Sequence, residues 1–491
     1  MVSRLLAAAA SDPDRPAIVD ELRSVTYGDL ARRILGTATR LHALGVRKGD
    51  TVALSFGAVA ADIADFVSTL HAAGYLGAML LPLYPDVPQG RRRELVRMFG
   101  ARWSVAADTE QLGATSLELS RICDKFHTSA EVPPRGDTPE APFCYQFSSG
   151  TTGDPKVILF SHAQLCANSL ATVAHYGLGT GDRLLPAVRA PGKMGLRYLV
   201  RTLGGGCTFV NVPFPETRQK LGELIRRLGI TAVTASPWQL RRLVQTPPDV
   251  DAATHRLRAL VCIGATVTAD DVRAFRQQLT PNLHVSYSST ECGGVAALGP
   301  RDAASDGYAR FPEADIQVVG DDGVALAAGE TGSIRLRVPW MPDAYAGNPQ
   351  ASAQRFRDGW FYPGDAGYLD AAGRLFVRGR SDGTINFGGV KVVPEEVEAV
   401  LIRHPGILDA VVTGVSDALA GEIPVAFVVL SPPATLEAIK LFCEAHLDAS
   451  SIPAAILSLE KMPRSADGKV ARARLKEHAR SLSHMFHSTK P

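Results

Sequence analysis

Apolar positions recur along the chain in two alternating periods. Leu30, Ile34, Ala38 and Leu41 are spaced by four, four and three, which puts them on one face of a helix. Thr26 stands before that helix as a start signal and Gly45 after it as a stop. Directly afterwards, Thr51-Val52-Ala53-Leu54-Ser55-Phe56 reads as a buried strand. Ala232-Val233-Thr234, Leu260-Val261-Cys262-Ile263 and Leu283-His284-Val285-Ser286-Tyr287 read the same way, with helical patterns between them. This alternation predicts α/β layers with largely parallel sheets.

Two shifts in composition break the pattern and predict boundaries. Val132-Pro133-Pro134-Arg135-Gly136-Asp137-Thr138-Pro139 reads as a turn-rich linker. From Trp360 to Gly389 glycines crowd together, at 364, 367, 373, 379, 383, 388 and 389, as in hairpins leading to a hinge. Roughly a hundred further residues alternate strand and helix patterns, enough for a small separate domain.

The chain has 491 residues, 46% of them apolar and 21% charged, so its bulk forms a large core and is not disordered. With 52 basic and 50 acidic side chains, a net charge of +2 gives no global field for nucleic acid. The one local excess is from 461 to 491, where eight Lys or Arg face only Asp467 and Glu477, as on a solvated helix with a frayed end. Seven cysteines with no CxxC pair point away from a disulfide framework or a zinc site and toward a reducing compartment. The apolar stretch around Tyr75 to Leu83 is broken by Pro82 and falls short of the ~18 residues of a membrane span. The N-terminal alanines are too short for a signal peptide, so a cytoplasmic location is expected.

The sharpest chemical feature is Ser148-Ser149-Gly150-Thr151-Thr152-Gly153-Asp154-Pro155-Lys156. Its glycines turn the backbone tightly and present N–H groups, its hydroxyls add donors, and Lys156 adds a charge on a flexible stem. Together they form a cradle for polyphosphate. It is not the P-loop of the common nucleotide-binding fold, which needs Gly-Lys-[Ser/Thr] opening a helix. Lys156 instead precedes the strand-like Val157-Ile158-Leu159-Phe160, and Phe143-Cys144-Tyr145-Gln146-Phe147 before the loop is also strand-like. The loop therefore links two strands.

Read with the rest of the chain, this loop resembles the phosphate-binding signature of the adenylate-forming superfamily: acyl-CoA synthetases, nonribosomal peptide synthetase adenylation domains and luciferases. Further segments carry the resemblance in order. They are Leu70 to Ala78 with Pro82-Leu83-Tyr84-Pro85; Tyr287-Ser288-Ser289-Thr290-Glu291; and Gly359-Trp360-Phe361-Tyr362-Pro363-Gly364-Asp365. Gly379-Arg380-Ser381-Asp382, Phe387-Gly388-Gly389-Val390-Lys391-Val392 and Pro463-Arg464-Ser465-Ala466-Asp467-Gly468-Lys469-Val470 complete the set.

The resemblance implies a large multi-layered N-terminal ATP- and acyl-binding domain, 1–380, and a small mobile α+β lid, 381–491. It also implies a reaction in which a carboxylate attacks the α-phosphate of ATP and a thiol then takes the acyl group. The thiol belongs to coenzyme A or to the phosphopantetheine arm of a separate carrier protein. Lys469 would be the adenylation lysine, and Glu291 would hold Mg²⁺, with Thr151 or Thr152 adding an oxygen; Thr152 joins them in the catalytic set. ATP would be bound by Ser148, Ser149, Gly150, Thr151, Thr152, Gly153 and Lys156, by the turn Gly264-Ala265-Thr266, and by Tyr287, Ser288 and Thr290. Asp365 and Arg380 would take the ribose hydroxyls. Asp382 would be the hinge, and Gly388 and Gly389 would line the path of the thiol.

The chain departs from the family pattern at Val157, Ser288, Pro363 and Asn386, none of which removes a charged catalytic group. The acyl pocket is expected near 187–203 and includes Lys193, Met194 and Tyr198. That stretch has no aspartate to pair with an α-amine, and Lys193 can pair with a second acidic group on the substrate. A small carboxylic acid is therefore the expected substrate. The competing readings are a stand-alone amino-acid adenylation enzyme, a luciferase-like oxidoreductase and a protein that only binds nucleotide.

Overall fold

The computed structural model describes residues 1–55, 63–84, 87–106, 112–118, 131–147, 156–188, 190, 192–248, 252–265, 267–380, 383, 385–387, 390–417, 421–431, 434–448, 451–465 and 468–482. The helix with the 30/34/38/41 stripe runs over Tyr27–Ala43. Thr26 caps it: its hydroxyl accepts from the Asp29 N–H, and Asp29 reaches back to the Thr26 N–H. Such a box is worth about 1 kcal/mol. All four stripe residues are buried.

Among the described residues the strands form four sheets. The longest contains six parallel strands in the order 283–289, 259–263, 232–235, 183–185, 208–210 and 16–19, closed by antiparallel strands at both edges. A second sheet carries 115–118, 101–106, 51–55, 79–83 and 142–147 in parallel, and ends on 157–161, antiparallel to its neighbour. Helices including Tyr27–Ala43, His162–His175 and Lys193–Gly204 contribute to the core shared by these two sheets. On the other face of the long sheet, Arg218–Leu228, Pro237–Val244 and Ala269–Gln278 cover a second core.

The expectation of largely parallel sheets is corrected in one region. Strands 315–319, 332–337, 356–357, 360–361, 365–369 and 375–380 form a wholly antiparallel sheet. Its last four strands, from 356 to 380, follow one another through short turns, and antiparallel neighbours need no crossover helix. After it comes the small sheet of 385–387, 390–392, 407–417, 421–430 and 455–458, with an apolar cluster on each face. The basic terminal stretch forms the helix Arg472–Ser481, which buries Leu475 and Ala479 and pairs Arg472 with Glu398.

The proline-rich segment before the hydroxyl loop is not a domain boundary. Strands on either side of it, 101–106 and 142–147, belong to the same sheet. The segment itself is docked on the end of the helix Ile63–Tyr75: the Tyr75 hydroxyl donates to the Pro133 carbonyl at 3.1 Å, and the Gly136 N–H donates to the Tyr75 carbonyl at 2.9 Å. The absence of a side chain at 136 permits this approach, since a Cβ there would lie 2.2 Å from the Leu76 carbonyl oxygen. Gly136→Ala is expected to cost about 1–3 kcal/mol by forcing backbone apart. Thermal unfolding checks this, and a variant melting with the wild type would contradict the docking.

Candidate active site

The chemistry-bearing residues gather where the parallel strands of the long sheet end, the edge at which α/β sheets bind ligands. Strands Leu283–Ser289 and Gly293–Leu298 form a hairpin whose tight turn holds Thr290 and Glu291. The Cys292 N–H donates to the Ser289 hydroxyl at 2.9 Å, and the Trp340 indole N–H donates to the Cys292 carbonyl at 2.6 Å. Gly293 has φ +73°, and a Cβ there would meet Asn168 Nδ2 at 2.2 Å, so the turn requires glycine on both counts.

Glu291 is only 6% exposed. Its Oε1 accepts a 2.8 Å hydrogen bond from the Tyr345 hydroxyl. Burial, and then the Glu291 charge, push the Tyr345 phenol far above its ordinary range, so it remains a donor. The same Tyr345 ring lies under Lys156, whose Nζ is 5.1 Å from the ring centre. The Ala346 N–H donates to the Val157 carbonyl at 2.7 Å, which fixes this segment to the strand that follows the hydroxyl loop. Among the described residues no donor bonds Glu291 Oε2, and no group of three or more His, Cys, Asp or Glu forms a cage. One free carboxylate oxygen without a cage suits Mg²⁺, which keeps its waters and takes phosphate oxygens.

Tyr345 was missed by sequence reasoning. It sits in Asp343-Ala344-Tyr345-Ala346, which matches none of the motifs. The available signal is an aromatic side chain in an irregular stretch rich in proline, glycine and asparagine.

A second network joins Tyr287, Asp365 and Arg380. The antiparallel register of 365–369 with 375–380 sets Asp365 opposite Arg380. Arg380 Nη1 donates to Asp365 Oδ1 at 3.3 Å and to the Pro363 carbonyl at 3.0 Å. Pro363 thus still supplies a polar partner through its backbone. The Tyr287 hydroxyl donates to Asp365 Oδ2 at 2.5 Å, and burial followed by the Asp365 charge holds that phenol well above its usual range. Gly264 and Ala265 are exposed just past the neighbouring strand Ala259–Ile263, whose Ile263 pairs with Ser286. Gly264 has φ +100°. Ser288 is half-buried in the strand and Thr290 buried in the turn.

Lys469 lies on a tight reversal. The Ser465 N–H donates to the Lys469 carbonyl at 2.7 Å, and the Gly468 N–H to the Ser465 carbonyl at 2.9 Å. A Cβ on Gly468, which has φ +79°, would come 4.0 Å from Val188 Cγ1. Arg464 in the same reversal sits 4.9 Å from the centre of the Trp238 ring. The loop carrying Lys469 therefore lies against the segment that leads into the helix Lys193–Gly204.

A cavity of about 660 Å³, counting its open mouth, opens between that helix, His162–His175 and the long sheet. Tyr198 lines it, whereas Met194 packs into the main core. Asp182 is also on its wall, but Arg258 holds both of its oxygens, at 3.0 and 2.9 Å, and the Thr231 hydroxyl and the Gly179 N–H also donate to it.

Several expected site residues lie outside the described residues: Ser148, Ser149, Gly150, Thr151, Thr152, Gly153, Thr266, Asp382, Gly388 and Gly389, together with the side chain of Lys193. The strands bracketing the first six, Pro142–Phe147 and Val157–Ser161, do pair antiparallel, with Phe147 opposite Val157.

Comparison with known proteins identifies the family and the fold. The 2-succinylbenzoate–CoA ligase of Bacillus licheniformis is 28% identical, over 94% of this chain and 97% of its own. The fatty acid–[acyl-carrier-protein] ligase ScoC of Streptomyces coeruleorubidus is 29% identical, over 96% of this chain and 94% of its own. The solved structure of an o-succinylbenzoate coenzyme A synthetase from Bacillus subtilis, in complex with ATP and magnesium ion, superposes with a TM-score of 0.82. It is 25% identical, covering 96% of this chain and 99% of that one. The model for the C-terminal domain of AMP-binding enzymes matches residues 396–469, and that for the AMP-binding enzyme itself matches 5–346. The latter span is well over half of the chain, and the protein belongs to the AMP-binding enzyme family, within the adenylate-forming superfamily.

Proposed function

We propose that this enzyme is an AMP-forming acid–thiol ligase. A carboxylate oxygen of the substrate attacks the α-phosphorus of ATP, the α–β phosphoanhydride breaks, and pyrophosphate leaves. A thiolate then attacks the acyl carbon, the bond to the phosphate oxygen breaks, and AMP leaves as the thioester forms. The observation that carries this reading is the convergence of Lys156, Glu291, Asp365, Arg380 and the Lys469 loop around one edge of the long sheet.

Each group has a physical task. Two anions must meet, so positive charge is needed between them, and Lys469 supplies it from a loop that reaches the acyl side of the cleft. Asp365 and Arg380 orient the ribose, and Tyr287 offers a flat face for the adenine. Glu291 would hold Mg²⁺, which, when bound, neutralises phosphate charge. The division into 1–380 and 381–491, with Asp382 as hinge, lets the lid withdraw Lys469 and bring Gly388 and Gly389 toward the incoming thiol. An α-amino acid is disfavoured as substrate, because the one carboxylate on the described cavity wall, Asp182, is already held by Arg258. The acceptor is coenzyme A or the phosphopantetheine of a separate carrier protein.

Carboxylate-dependent ATP–pyrophosphate exchange over a panel of fatty, aromatic, dicarboxylic and amino acids tests the first step, and thioester formation with each acceptor tests the second. Exchange with no acid would overturn the proposal. Lys469→Ala is expected to lower adenylation about 100- to 1,000-fold while still converting a supplied acyl-adenylate to thioester. Equal loss of both steps would contradict the division of labour between the two domains. Tyr345→Phe removes the donor that orients Glu291 and should weaken the Mg²⁺ requirement curve about 10-fold or more. An unchanged Mg²⁺ titration would remove Glu291 from the metal site or Tyr345 from its support.

A further inference from the structure

Resting on the acyl-activating reading above, we propose that the acid this enzyme activates carries a second acidic group, and that Arg201 receives it in the cavity. The cavity has largely apolar walls, among them Val173, Leu178, Leu184, Val261 and Ile263. Ile263 and Ser286 on its wall directly precede Gly264 and Tyr287, so it runs on from the nucleotide side of the site.

Arg201 belongs to this wall, and among the described residues no carboxylate pairs with it. Its Nε is buried without a hydrogen-bond partner, as is the neighbouring Thr202 hydroxyl. Burial, and then the nearby Arg197, lower the Arg201 guanidinium to about 9, which leaves it cationic at neutral pH. Arg201 as a whole is half-buried, and a cation set beside apolar walls with no carboxylate partner is poorly compensated. The other charge on the wall, Asp182, does not compensate it, since Arg258 holds both Asp182 oxygens. A ligand carboxylate would complete the missing pair, and the planar guanidinium fork matches it with two parallel hydrogen bonds.

Position separates this anion from the reacting one. The helix Lys193–Gly204 begins just after the segment that meets the Lys469 loop. Arg201 lies eight residues further along it, about 12 Å at 1.5 Å per residue. An acid that reacts beside Lys469 and ends at Arg201 is therefore a dicarboxylate, or an equivalent diacid, with an apolar aliphatic or aromatic body between its charges. The pairing that the sequence suggested for Lys193 falls two turns deeper on the same helix.

The test is ATP–pyrophosphate exchange with matched pairs, an aliphatic or aromatic monoacid against the same body bearing a second carboxylate. The wild type should favour the diacid about 10- to 100-fold in kcat/KM. Arg201→Met should raise the diacid KM about 100-fold with little change in kcat, and use the monoacid as well as before. Arg201→Lys should retain part of the diacid preference. A wild-type preference for monoacids would overturn the proposal, and so would equal loss of both substrates in a folded Arg201→Met, which would mean that Arg201 grips the reacting carboxylate. If circular dichroism shows that Arg201→Met does not fold, the wild-type pairs and Arg201→Lys decide. Exchange with monoacids alone sinks this inference and leaves the acyl-activating reading intact, whereas exchange with no acid sinks both.

Discussion

The buried hydrogen bond from Tyr345 to Glu291 is the contact on which the rest of the site depends. A carboxylate 6% exposed in a turn between two strands has lost most of its water and needs a donor. The phenol provides one at 2.8 Å, and burial keeps it protonated. The same ring carries Lys156 over its face, and its neighbour Ala346 is bonded to Val157. One tyrosine therefore fixes the distance between the carboxylate suited to the metal and the lysine that follows the hydroxyl loop. Trp340 holds the other side by bonding the Cys292 carbonyl.

The hairpin 283–298 joins this network to the second one. Tyr287 and Glu291 are four residues apart on it, yet Tyr287 bonds Asp365 in the antiparallel sheet while Glu291 bonds Tyr345 in an irregular segment. A register slip of one residue in that hairpin would disrupt both contacts together. The glycine at 293 follows from this: the turn needs φ > 0 there, and the space beside it is filled by Asn168 and Arg201.

Much of this was legible in the sequence because the information is local. The 30/34/38/41 stripe, its Thr26 cap and the parallel strands at 232, 260 and 283 depend on period and capping, and both appear as read. Asp365 and Arg380 were each read as ribose-binding from motif order, and the structure sets them opposite each other in a cross-strand register. What the sequence concealed depends on contacts between distant positions. The 132–139 segment looks like a linker because proline and glycine suit both linkers and docked irregular chain, and the 2.2 Å clearance at Gly136 tells them apart. Tyr345 and Arg201 are missed for the same reason. Each acquires its meaning from residues dozens of positions away, Glu291 for one and a cavity built from two helices and five strands for the other.

The contacts between lid and body suit an attachment that can be released. Arg464 forms its ion pair with Asp409, which lies in the same small domain. It also lies over the face of Trp238 in the large domain, a cation–π interaction worth about 0.5–2 kcal/mol, and an ion pair between the two domains, Arg378 with Glu396 at 3.5 Å, is solvent-exposed on both sides. Separating the two surfaces would leave the Arg464 charge paired with Asp409, and the Arg378–Glu396 pair is already in water, so parting them strands no buried ion. An interface held by a buried salt bridge across the two domains would have the opposite property, because breaking it would strand a charge on each side.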